Sequence, residues 1–118
     1  MKELNAKVAV ITGGASGIGL AVARRLAAEG MRIVIGDIEA DAMDAAVSEL
    51  RAGGATASGV LTDVTDPASV DELRDATLAE HGAVHVVCNN AGVAAGGPAW
   101  EIPVEAWRWV LDVNVFGV

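Results

Sequence analysis

The sequence predicts an α/β fold, a parallel sheet wound by helices on both faces, and three observations carry that prediction. Short β-branched runs alternate with stretches of helical periodicity, in the order βαβαβαβα. Glycine, aspartate or asparagine marks the end of each run. Apolar residues make up 53% of the 118 residues, with mean hydropathy +0.43, which a small chain tolerates when its strands are covered on both faces. Crossovers of ten to fifteen helical residues return each strand to the same end of the sheet, so the pairing is parallel.

The elements follow in chain order. KVAVIT (7–12) reads as the first strand and runs into TGGASGIG. GIGLAVARRLAAEG (17–30) is the first helix, with Ile18, Val22 and Leu26 at helical spacing and Gly30 as its stop. MRIVIGD (31–37) repeats the strand, and the next helix puts Met43, Val47 and Leu50 on one face before the pair Gly53-Gly54. ATASGVLTDV (55–64) is the third strand; Asp66 then caps a helix whose first position suits Pro67. AVHVVCNN (83–90) is the fourth strand, followed by a Gly/Ala-rich loop and a helix opened by Pro103. No linker or repeat interrupts the rhythm, so residues 1–118 form one domain.

Composition removes several classes of function. Eight basic residues against 16 acidic ones give a net charge of −8, which repels nucleic acid and anionic membrane surfaces. The first apolar stretch, VAVIT, is too short for a secretory or membrane segment. The single Cys88 excludes an internal disulfide, and a cytoplasmic location is the default expectation. His85 and Cys88 read as packing residues and His81 as a helix C-terminal residue, because no second cluster completes a metal site.

The chemistry lies in the loops. In TGGASGIG, Gly13 permits a tight turn, Gly17 lets the backbone approach a pyrophosphate, and Gly19 lets helix and strand pack closely. The helix start adds unpaired amides and a partial positive charge, a site for phosphate. A glycine turn that needs only positive φ is the alternative, weakened by its place between strand and helix. No Gly-Lys-Ser/Thr follows, which excludes a P-loop. Asp37 ends the second strand at the spacing where a carboxylate accepts from an adenosine ribose, and it would repel a 2′-phosphate. With no basic residue among Ala15, Ser16 and Ile38, NAD is preferred over NADP as cofactor. The competing role for Asp37 is to cap the next helix.

Two polar features are read from spacing. Trp107, Val110 and Leu111 precede Asn114 by seven, four and three residues, so Asn114 continues a stripe expected to be buried. An unmet amide there costs about 1–3 kcal/mol, so a backbone carbonyl or a water is expected to satisfy it. Trp107 and Trp109 point to nearly opposite sides of the helix; with Trp107 inward, Trp109 is left outward as an exposed aromatic or an oligomer contact.

Taken together, TGGASGIG, Asp37, Asp63-Val64, the NNAG of Asn89 to Gly92, and Asn114 resemble the first half of a short-chain dehydrogenase/reductase. The resemblance covers the whole chain. It implies a partial Rossmann-like, doubly wound parallel sheet with strand order 3-2-1-4. It also implies that Thr12, Gly13, Ser16, Gly17, Ile18 and Gly19 hold the pyrophosphate, and that Asp37 and Ile38 border the adenine ribose. Asp63 and the amide of Val64 would contact the adenine edge; Asn89, Ala91 and Gly92 would lie beneath the ribose and nicotinamide; Asn114 would belong to the catalytic tetrad. Without the family, Asp63 is a loop-capping aspartate and NNAG a turn.

The family transfers hydride between a nicotinamide and an alcohol or ketone, with a Tyr acid/base, a Lys four residues later and an orienting Ser. This sequence has no Tyr, its lysines are Lys2 and Lys7, and its serines lie in the cofactor half. The chain therefore reads as the NAD-binding part of such an oxidoreductase, truncated before Ser, Tyr and Lys and inactive alone. Its fourth strand would be an exposed edge that invites self-association. A stand-alone nucleotide-binding or regulatory module is the rival reading.

Overall fold

The computed structural model describes residues 1–118. Four strands, β1 (Val8–Thr12), β2 (Arg32–Asp37), β3 (Ala57–Leu61) and β4 (Val86–Asn89), alternate with α1 (Gly17–Ala28), α2 (Ala40–Ala52), α3 (Pro67–His81) and α4 (Val104–Leu111). α4 runs into a π-wound turn over Asp112–Phe116. The sheet order is β3-β2-β1-β4, and every pairing is parallel. The expected doubly wound α/β architecture is therefore present, with the expected strand order.

Burial follows position in the sheet. All five residues of β1 are buried, and so are all but the first of β2, because both central strands have strands on either side and cover on both faces. The outer strands β3 and β4 instead alternate between more and less exposed residues, the period of a half-covered strand. One face packs a cluster of 12 buried residues, among them Ile11, Ile33, Ile35, Met43 and Leu50, under α1 and α2. The other carries only Val8, Val10, Val34 and Leu73, under α3.

Helix ends are set locally. The Asp66 carboxylate accepts from Ala68 N at 3.0 Å, Pro67 opens α3, and Gly82 ends it at φ +74 with its N–H bonded to Leu78 O. In α2, Met43, Val47 and Leu50 are buried as the spacing predicts. In α1 the stripe differs: Gly19 and Ala23 face the core, Val22 and Leu26 lie at its margin, and Ile18 is 77% exposed. Small residues let α1 approach the sheet closely, and that rotates Ile18 off the packed face. On the surface, Arg24 grips both oxygens of Glu49 and links α1 to α2; this hydrogen bonding raises the arginine and holds the carboxyl below its ordinary range.

His85 has a use that its sequence context did not signal. Val8 N donates to His85 Nδ1 at 3.0 Å while His85 N donates to Val8 O at 3.0 Å, so the ring nitrogen adds a rung to the β1–β4 ladder. Its neutral ring must present Nδ1 as the acceptor.

The α4 stripe is not buried. Trp107 and Leu111 are 46% and 47% exposed, and α4 has no element closely packed on it apart from the π-wound turn. A stripe becomes core only where another element supplies the opposing face, and none is supplied to α4. On the adjoining sheet face Val87, paired with Val10, is 57% exposed, and the outer edge of β4 has no partner strand. In sedimentation velocity over a concentration series, the chain is expected to self-associate, and Val87→Lys to shift it toward monomer. A monodisperse monomer at all concentrations contradicts this.

Candidate functional site

All four strands deliver their carboxyl-end loops to one cleft of about 650 Å³, a size suited to a cofactor-sized ligand. The β1–α1 loop contributes Gly13, Ser16 and Ile18; the end of β2 contributes Asp37, Ile38 and Glu39. Thr62 to Thr65 enter after β3, and Asn90 to Val93 after β4. Trp109 and Val113 close the remaining side.

The β1–α1 loop is built around absent side chains. Gly13 sits at φ +65, and a Cβ there would lie 2.9 Å from Ala91 Cα. A Cβ on Gly19 would lie 2.3 Å from Gly13 O and 2.5 Å from Asn90 Nδ2, so the first turn of α1 presses on its own loop and on the β4 loop. Gly17, at φ +55, faces open space, and its backbone is free to be approached. The amides of Ser16, Gly17, Ile18 and Gly19 have no acceptor in the chain, and the Ser16 side chain does not cap them. Unpaired donors at the positive end of a helix are the arrangement that suits an anion.

Asp37 is 9% exposed and committed by both oxygens: Oδ2 accepts from Ala15 N and Oδ1 from Glu39 N, each at 3.0 Å. The N-cap position of α2 belongs to Glu39, so Asp37 ties the glycine loop to the β2–α2 turn. Each carboxylate oxygen keeps a second lone pair while lining the cleft. Asp63 also faces the cleft; its Oδ1 accepts from Thr65 N and Oγ1, the capping role that its loop position allows, and its Oδ2 has no protein partner. Beside it, Val64 lies under Gly117, where a Cβ would come within 2.8 Å of Val64 Cγ2.

Two of the expected site residues are not in the cleft lining. Thr12 is buried outside the cleft, its hydroxyl accepting from Asn90 N and Ala91 N at 3.1 Å each; it fastens the β4 loop to β1. Asn89 pairs with Thr12 at the end of β4 and does not line the cleft. Its neighbour Asn90 does, with Nδ2 donating to Thr12 O and Gly13 O at 3.1 and 3.2 Å. Both asparagines stand in the NNAG run, and only the strand register decides which one turns toward the glycines.

Asn114 lies in the π-wound turn and is exposed, not buried in a stripe. Its partner is the backbone acceptor anticipated from its polarity: Nδ2 donates to Val93 O at 2.7 Å, and Oδ1 accepts from Val93 N at 2.8 Å. The two bonds clamp the β4 loop to the last helix. Wider winding at this turn marks a local departure from helix geometry, a feature that concentrates at functional sites. Trp109, expected outward, lines the cleft one turn before Val113. Sequence reasoning missed Gly36, Glu39, Thr62 and Thr65, which flank predicted residues at the ends of β2 and β3, and Asn90, Val93, Trp109 and Val113 on the far side of the cleft; i, i+4 spacing from Val113 was the available signal for Trp109.

Asp37, Glu39 and Asp63 give the cleft a negative lining with no Lys or Arg. No group of three or more His, Cys, Asp or Glu is gathered to hold a metal ion, and no helix is long and apolar enough to cross a membrane.

The chain matches the family described as short chain dehydrogenase over residues 7–118. It is 48% identical over 114 residues to 1-deoxy-11-beta-hydroxypentalenate dehydrogenase of Streptomyces avermitilis, covering 95% of this chain and 42% of that enzyme. It is 47% identical to cis-4-hydroxycyclohexanecarboxylate dehydrogenase of Sinomonas cyclohexanicum, covering 95% and 45% respectively. The crystal structure of a short chain dehydrogenase/reductase from Burkholderia phymatum in complex with NAD superposes with TM-score 0.95 at 49% identity, over 99% of this chain and 42% of that one. The chain belongs to the short-chain dehydrogenase family and spans less than half the length of these relatives.

Gly19→Ala is expected to destabilise the chain by about 1–3 kcal/mol in urea melts, because backbone atoms occupy the added methyl's place. Asn114→Leu is expected to speed hydrogen exchange at the Val93 amide while amides of β1 and β2 keep their protection. Unchanged exchange at Val93 would show that the clamp does not hold the loop.

Proposed function

We propose that this chain is the NAD-binding portion of an oxidoreductase that exchanges hydride between NAD and an alcohol or ketone. The observation that carries this reading is one cleft holding both unpaired α1 amides and a buried, amide-held Asp37. The amides of Ser16 to Gly19 receive the pyrophosphate, and Asp37 accepts from the adenosine ribose hydroxyls beside Ile38. Asp63 and Val64 N bind the adenine edge. Ala91 and Gly92, with Asn89 behind them, support the nicotinamide ribose. Thr12 and Asn90 hold those loops in register. The NAD bound by the Burkholderia phymatum relative supports the same ligand here.

Residues 1–118 are in this reading one dinucleotide-binding part. Bound NAD supplies a hydride acceptor; this chain's residues supply orientation and charge. Asn114 contributes by fixing the Val93 loop, and the family's Ser, Tyr and Lys, which would move the substrate proton, are not in this sequence. The chain alone is therefore inactive. Asp37 and Glu39, without a neighbouring cation, disfavour a 2′-phosphate and select NAD over NADP.

A thermal-shift series with NAD, NADP and ADP tests the proposal. NAD and ADP at about 100 times their dissociation constants are expected to add roughly 2.7 kcal/mol, and NADP much less. Asp37→Asn should narrow the difference between NAD and NADP. Absence of any shift overturns the proposal, and equal shifts with NAD and NADP overturn the cofactor preference.

A further inference from the structure

We infer that Trp109 is a positioning residue for the adenosine end of the cofactor, its indole forming the outer wall of the base site. This rests on the proposed dinucleotide reading and goes beyond it, because it adds a group from the last helix to a site otherwise made of strand-end loops. Four observations converge on it. Trp109 is the only aromatic residue of the cleft lining, where the other apolar members are aliphatic or small. It precedes Val113, also in the lining, by one helical turn, so the two project from one face of α4. The helix is anchored on the adenosine side, because Gly117, one turn beyond Val113, lies against Val64 of the loop proposed to meet the adenine edge. The indole is 48% exposed, with area left for a planar base to cover.

The physics favours a base over a nicotinamide ribose. A flat heteroaromatic ring gains from stacking on an indole whatever its substituents, while the Asp63 carboxylate, with one oxygen free of protein partners, supplies a polar partner for the ring's edge. Ile38, Val64 and Val113 also line the cleft, and an aromatic wall would give a base a planar surface that these aliphatic side chains do not. The clamp from Asn114 to Val93 holds the helix in place, so Trp109 is presented on a fixed element.

The test uses the full chain with Trp100→Phe and Trp107→Phe, which leaves Trp109 as the only tryptophan. ADP and NAD are each expected to change its emission saturably, at the midpoint that thermal shift gives for the same ligand, and nicotinamide mononucleotide is expected to leave it unchanged. Trp109→Ala should weaken ADP binding by about fivefold or more, the low end of base–aromatic stacking, while Trp109→Phe should retain affinity within about threefold. Thermal stabilisation by ADP with unchanged emission overturns the Trp109 assignment and leaves NAD binding standing. A response to nicotinamide mononucleotide alone also overturns it. No stabilisation by any ligand overturns the underlying reading as well.

Discussion

A single methyl group has no room at position 19, and the rest of the cleft depends on that. The first turn of α1 lies so close to the β1–α1 loop that a Cβ would come within 2.3 Å of Gly13 O, and within 2.5 Å of Asn90 Nδ2. Three segments thus meet at one point: a helix start, the loop that precedes it, and the loop after β4. Close approach aims the α1 amides across the cleft, and the Asn90 amide group, donating to both Thr12 O and Gly13 O, occupies the space a side chain at 19 would take. Thr12 reinforces the junction through the amides of Asn90 and Ala91. On the proposed reading, phosphate recognition here would follow from backbone packing.

What could be read from the sequence was what local chemistry dictates. A β-branched run followed by glycines, an Asp-Pro pair opening a helix, and an apolar face at Met43, Val47 and Leu50 each impose their own conformation, and each appears where it was expected. Asp37 was also legible as a cleft residue, because the end of a parallel strand fixes where its side chain can act. The errors came from partners distant in sequence. Nothing near His85 announces that Val8 N, 77 residues away, would use its ring as an acceptor. Choosing between Asn89 and Asn90 needs the β1–β4 register, and the burial of α4 needs the identity of whatever covers it. Asn114 is instructive because its polarity predicted its partner correctly while its spacing predicted its burial wrongly.

The two sheet faces also differ in how far they are finished. Beneath α1 and α2 the core is continuous and includes every large fully buried residue of the odd register of β1 and β2, such as Ile11, Ile33 and Ile35. Under α3 the second cluster stops at Val10, and the next position outward, Val87, is open. The candidate cleft lies at the carboxyl end of the finished part, since its glycine loop and Asp37 follow from the two central strands. Stability of the nucleotide site and exposure of the β4 edge can therefore coexist in one chain, because different residues govern them.

The proposed reading carries one apparent conflict, that of a chain with net charge −8 holding a diphosphate in a cleft whose only charged side chains are acidic. Contact resolves it. The α1 amides would touch the phosphate oxygens directly and act with little intervening water, whereas carboxylates that make no contact with the phosphate act on it at longer range. Asp37 lies beside the same loop, but Ala15 N and Glu39 N donate to its two oxygens and so offset part of its charge locally. On the proposed reading the same negative surroundings would discriminate: a pyrophosphate would reach backbone donors, but a phosphate placed on the ribose would meet Asp37 and Glu39 with no Lys or Arg in the cleft to offset them. On the proposed reading, affinity for one anion and rejection of another would thus come from one arrangement, in which backbone dipoles attract at contact and carboxylates repel from the next strand.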